Sequence, residues 1–310
     1  MKKIINIVLL SAFVTVLGAS CNKNGDEALG KYPILFRCPE MSRAETTVED
    51  IQGDANGFEV YSYFEVGDKK FNFEKTVTSN AAQGIWDYTD IEYWISGATY
   101  WFKAVYPKSL NYTIDNTTSS QNLTITGYDV TSQTDILVAE PTREGGMTVD
   151  ATIGAPVMGS TVNLQFKHLL ANVVIGVKTE ISGVEVKKIS LVGVAQTGSY
   201  DGTRLTPWSA VQTTTISKTC GKSLSSGSEK YTDVTDGGFY VIPQNISGEQ
   251  KLQIETSNKN YDIVIPNITW TAGTRYTYTL TIKQNDILFN EPTIVEEWDE
   301  TSATGSVLIK

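Results

Sequence analysis

The chain has 310 residues, 25 basic against 35 acidic, a formal net charge of −10, one histidine and three cysteines. An acidic chain without a basic stripe cannot displace counterions from phosphate, which argues against a nucleic-acid partner. Three cysteines are too few for a disulfide framework, and a chain of this length exceeds what one ordinary core organises, so two domains are expected.

In chain order, the first stretch is MKKIINIVLLSAFVTVLGASC. Two lysines, an apolar run over residues 4–17 and the small residues Gly18, Ala19 and Ser20 before Cys21 form the pattern of a secretory signal. The apolar run is shorter than the roughly 20 residues a spanning helix needs. Residues 1–20 therefore read as a signal peptide, and Cys21 at the cleavage point resembles a lipobox cysteine whose acylation would make residues 21–32 a lipidated tether. Without residues 1–20, 23 basic residues face 35 acidic ones, a net charge of −12.

Residues 33–45, PILFRCPEMSRAE, open the folded part with a short apolar strand around Ile34, Leu35 and Phe36, followed by a polar link containing Arg43, one of five arginines. Beyond it, β-branched and aromatic residues alternate with polar ones in short runs at residues 57–66, 98–107, 123–128, 135–139, 162–168, 172–177, 186–194, 238–244, 251–256, 261–266 and 275–283. Gly, Asn, Asp and Ser separate the runs, as turns between antiparallel strands require. The expectation is all-β, built as β-sandwiches. Tyr276, Tyr278, Leu280 and Ile282 fall on one face of the last run, and Val162, Leu164, Phe166 and His168 on one face of another. Gly, Pro and small residues cluster over residues 145–161, which places a domain break near residue 160. The Ser/Thr tracts at residues 113–122 and 223–230 read as surface loops.

Chemistry-bearing patterns are sparse. His168 sits on an apolar strand face, the setting of a packed, hydrogen-bonded histidine, and no ligand cluster for zinc surrounds it. The acidic group at residues 296–300, EEWDE, lacks the loop periodicity of a calcium site and reads as a solvated strand end. No glycine loop for phosphate appears. The aromatic stretch over residues 86–107 reads as core, because Tyr100, Phe102, Ala104 and Tyr106 alternate like a buried face; a sugar-stacking platform is the alternative. No metal, cofactor or enzymatic activity is expected. Cys38 and Cys220 lie far apart in sequence, and their pairing stays open.

Several stretches in order resemble the fimbrillin-like lipoproteins of the Bacteroidales, which are similar to type V pilus subunits. They are Cys21 with its polar tether, ILF followed by SRA at residues 42–44, FEVYSYF at 58–64, YWFKAVYP at 100–107, DILVA at 135–139, LQFKHLLANV at 164–173, GFYVIPQ at 238–244, and WTAGTRYTYTLTI at 270–282 with IVEEW at 294–298. The resemblance implies two tandem transthyretin-like antiparallel β-sandwich domains, here residues 33–160 and 161–310. It also implies a stalk, tip or anchor role in a surface fimbrium held at the outer membrane through lipid. Its partners would be other fimbrial subunits, in a homo- or hetero-polymer, and a host or bacterial surface ligand. Assembly would follow cleavage between Arg43 and Ala44 by an arginine-specific protease, which frees the strand of Ile34, Leu35 and Phe36 as a removable plug. A neighbour's tail, residues 301–310 with Val307, Leu308 and Ile309, would then enter the vacated groove; an ordinary final strand or a frayed tail is the alternative reading of that segment. Burial of the three plug residues would contribute about 5–9 kcal/mol at most, comparable with the roughly 5–15 kcal/mol stability of a domain. The alternative is a lipid-anchored adhesin or glycan-binding module that does not polymerise.

Overall fold

The computed structural model describes residues 32–38, 51, 53–80, 85–141, 145–151, 161–284 and 286–296. The chain begins with β1 (Leu35–Arg37), β2 (Phe58–Val66), β3 (Lys69–Asn80), β4 (Ile85–Asp87), β5 (Thr99–Tyr106), β6 (Tyr112–Ile114) and β7 (Leu123–Asp129). After a 3-10 turn at Val130–Ser132 come β8 (Leu137–Ala139), β9 (Met147–Thr148), β10 (Thr161–Asn163) and β11 (Phe166–His168). β2 and β3 form a hairpin in which Val66 faces Lys69 across two residues. Gly67, at φ +56°, adopts the positive φ that primed hairpin turns need to follow strand twist. The first sheet runs β11-β8-β5-β2-β3-β4, with β9 beside β5, while β1 and β10 form a separate parallel pair.

The chain continues through β12 (Ala171–Thr179), β13 (Glu185–Asp201), β14 (Trp208–Ser223), β15 (Thr232–Asp233), β16 (Phe239–Val241) and β17 (Gln244–Ile246). It ends with β18 (Lys251–Thr256), β19 (Asn260–Val264), β20 (Ile268–Trp270), β21 (Thr274–Ile282), β22 (Ile287–Phe289) and β23 (Thr293–Glu296). One sheet has the order β15-β12-β21-β22, with β16 on β12 and β23 on β21; another has the order β19-β18-β13-β7-β6, with β14 on β13. β17 pairs with β20. Pairings between these strands are antiparallel except β1 with β10 and β12 with β21. The all-β expectation therefore holds, and the alternation in β21 is borne out: Tyr276, Tyr278, Leu280 and Ile282 are all buried.

Two hydrophobic cores result. The first gathers Ile34, Phe36, Phe58, Val60, Tyr100, Phe102, Leu137, Val162, Leu164 and Phe166. The second gathers Leu123, Ile125, Val173, Ile175, Ile189, Leu191, Trp270, Tyr278 and their neighbours. Membership interleaves along the chain, because β13 is long enough to change partners. Its first half pairs with β18 and its last residues with β7, which comes from far earlier in sequence. Gly193, at φ +77°, marks the register shift between Val192 and Val194 that bends the strand between these partners. Around the interval expected to hold the domain break, β6 and β7 belong to a sheet of the second core, while β10 and β11 still serve the first.

Candidate functional site

The most constrained segment near the chain's start is β1. Its side chains alternate as a strand's must: Ile34, Phe36 and Cys38 point into the first core, whereas Leu35 is 42% exposed. Leu35, expected to share in the burial, thus faces away from the core, since the period of two allows only every second residue inside. With two large side chains buried, the expected hydrophobic contribution falls to about 3–6 kcal/mol.

Neighbours lie on both edges of the segment. On one edge, Leu35, Phe36 and Arg37 run parallel to Thr161, Val162 and Asn163, and Leu164 N donates to Arg37 O (2.7 Å). On the other, Ile34 N donates to Glu92 O (2.9 Å), Trp94 N donates to Tyr32 O (2.9 Å), and Pro33 bridges Tyr93. Tyr88 closes the end of the groove. Its hydroxyl donates to Ile34 O (2.7 Å) and its ring lies 5.4 Å from that of Phe36, which also meets Phe102 edge-on at 5.9 Å. Burial pushes the Tyr88 hydroxyl up to about 12, and the Cys38 thiol also to about 12, so both stay protonated at neutral pH. If β1 left, backbone groups on both edges would lose their partners and three inward positions would empty, the template an incoming strand requires.

Of the other expected site residues, Cys21, Arg43 and Ala44 lie outside the described residues, as do Val307, Leu308 and Ile309. Glu296 ends β23, and residues 297–300 of the acidic group are likewise outside. Cys38 and Cys220 are both free, one buried in the first core and the other on β14. His168 is packed as expected, with its Nδ1 2.6 Å from Asp135 Oδ2 and both side chains buried. Among the described residues no group of three or more His, Cys, Asp or Glu could hold a metal, and no helix is long and apolar enough to cross a membrane.

Two features had no local signal in the sequence. The groove wall at residues 92–94 and 161–164 comes from segments about 70 residues apart. At the junction of the cores, Tyr61 donates to Glu59 (2.9 Å), Tyr112 of β6 lies 3.2 Å from the Tyr61 hydroxyl, and Lys108 pairs with Glu59 at 3.0 Å. Glu74 also hydrogen-bonds Glu59. Burial, followed by that neighbouring carboxylate, holds Glu74 above the usual range, whereas hydrogen bonds from Glu74, Lys108 and Tyr61 outweigh burial at Glu59 and hold it below.

Comparison with known proteins places this arrangement. A fimbrial protein from Bacteroides vulgatus superposes with a TM-score of 0.58 at 18% identity, over 86% of this chain and 99% of that one. A protein from Bacteroides uniformis, provisionally described as a cell adhesion protein, gives 0.54 at 14% identity over 88% and 100% of the two chains. One from Bacteroides ovatus with the same description gives 0.53 at 16% identity over 87% and 98%. At these identities the likeness is one of fold. No curated protein matches in sequence. The family model described as fimbrillin-like matches residues 42–298, most of the chain. With that match beginning after β1 and taking in most of both cores, this chain belongs to the fimbrillin-like family.

Proposed function

We propose that the chain is a structural subunit of a cell-surface fimbrium, as stalk, tip or anchor, and that β1 is a plug released by proteolysis. In this reading the chain is exported, acylated at Cys21 and tethered at the outer membrane through residues 21–32. An arginine-specific protease then cuts between Arg43 and Ala44, and a neighbouring subunit's Val307, Leu308 and Ile309 supply the replacement strand. The observation that carries the reading is the setting of β1: backbone pairing on both edges and alternate burial of Ile34, Phe36 and Cys38. A donor with apolar residues at alternate positions, such as Val307 and Ile309, matches the Ile34 and Phe36 positions.

The test compares heat- and detergent-resistant oligomers of wild type, Arg43→Ala and a chain lacking residues 301–310. Wild type polymerises after cleavage, and neither variant does so alone. Mixed, the trimmed tail-deleted chain accepts the tail of the Arg43→Ala chain and growth stops at a dimer. Polymerisation of either variant like wild type, or none by cleaved wild type, would overturn strand exchange through these segments.

A further inference from the structure

We propose that a cleft on the back of the first sheet is a binding site for a short neutral oligosaccharide, independent of β1 and of any polymerisation. The sheet β11-β8-β5-β2 packs one face on the first core. Part of its other face is covered by the second core, which takes in Val105 and Val138, and part meets Tyr112 through Tyr61. Between these contacts lies a cavity of about 820 Å³. That is within the roughly 300–1,000 Å³ of small-ligand sites.

On the sheet side, the cavity wall includes outward members of the alternations that build the first core. Along β5, Tyr100 and Phe102 point in, and Trp101 and Lys103 point to the cleft. Along β10 and β11, Val162, Leu164 and Phe166 point in, and Asn163, Gln165 and Lys167 point to the cleft. The facing rim holds Asn122 and Tyr200, whose ring is braced by Trp208 at a centroid distance of 5.5 Å. A pyranose presents a ring of hydroxyls around apolar C–H faces. Half-buried Trp101 and Tyr200 suit the faces. The amides of Asn122, Asn163 and Gln165 can each donate to one hydroxyl and accept from another.

The cleft is also held in shape before any ligand arrives. Lys103 is buried, and its ammonium donates to Gln121 O (2.5 Å) and pairs with Glu140 (2.8 Å), which ties the rim loop to the sheet. Gln121 takes φ +42°, a conformation unfavourable for a residue with a side chain, and is held there as Asp115 N donates to Asn122 O (3.0 Å) and Gln121 Nε2 donates to Asn116 Oδ1 (2.9 Å). A rim fixed in advance lowers the ordering cost of binding. Two ammonium groups line the cleft: that of Lys103 is already matched by Glu140, and that of Lys167 lies within the field of a chain that is acidic as a whole, which opposes the approach of polyanions.

The experiment probes the purified chain with an array of neutral di- to hexasaccharides, alongside sulfated and sialylated ones, and follows binders by calorimetry. Neutral members bind, and Trp101→Ala and Gln165→Ala each weaken them about tenfold or more, roughly 1.4 kcal/mol. Gln165 is exposed, so its substitution leaves the melting temperature unchanged and separates lost binding from lost folding. Absence of neutral binders, binding confined to sulfated or sialylated members, or binding that survives both substitutions would overturn the proposal.

Discussion

Phe36 and Leu35 are adjacent, both apolar, and opposite in consequence. Phe36 is 4% exposed and packed against two rings, whereas Leu35 is 42% exposed. Phe36→Ala is expected to cost about 3–5 kcal/mol in urea unfolding, and Leu35→Ala about 0.5 kcal/mol or less. Equal losses would mean that β1 does not hold this register. The same distinction applies to His168, whose inward placement was legible from the apolar residues alternating before it. Its partner Asp135 was not, since 33 residues separate them and only the fold brings them to 2.6 Å. His168→Gln leaves that buried carboxylate without its present partner, and a loss of about 1–3 kcal/mol is expected. Fimbrial assembly should be unchanged, and its loss in a folded variant would point to a role for the pair beyond packing.

At the scale of elements, β1 contains its own reporter. Cys38 lies at its end, is 8% exposed and has a thiol pushed up to about 12 by burial. An aromatic disulfide reagent at pH 7.5 should therefore label Cys38 very slowly in the intact chain. After the proposed cleavage at Arg43 it should do so only as fast as β1 leaves. Cys220→Ser and Cys21→Ala substitutions remove the other two thiols. Fast labelling of intact protein would show that β1 opens without proteolysis. That β1 is a strand was readable from PILFRC, because local alternation and β-propensity suffice for a few extended residues. That it lies parallel to β10 and antiparallel to residues 92–94 was not, because pairing depends on edges contributed by distant segments.

Across the whole molecule, the junction between the cores carries the carboxylate pair Glu59 and Glu74, faced by Lys108, Tyr61, Thr76 and Tyr112. Glu74 is held above its ordinary range, so it contributes stability that is full below its unfolded value and disappears as pH rises through its folded one. Glu59 is held below, and its contribution is present above its unfolded value and lost as pH falls through the folded one. Glu74→Gln keeps the protonated-like shape at every pH. Relative to wild type it should gain melting temperature as pH rises from about 4.5 to 8, whereas an unchanged difference would mean that the two carboxylates do not share a proton. The sequence by itself determined the all-β class, most strand positions and their inward faces, the packed histidine and the family, because each rests on local alternation or on ordered short motifs. Only the tertiary structure decided which strands share a sheet, that β7 serves the second core and β10 the first, that β1 is paired on both edges, and where the back of the first sheet stays open as a cleft. Strand pattern specifies which face of a segment is apolar, but partner and edge are settled by loop closure and by the competition of many similar strands for the same neighbours.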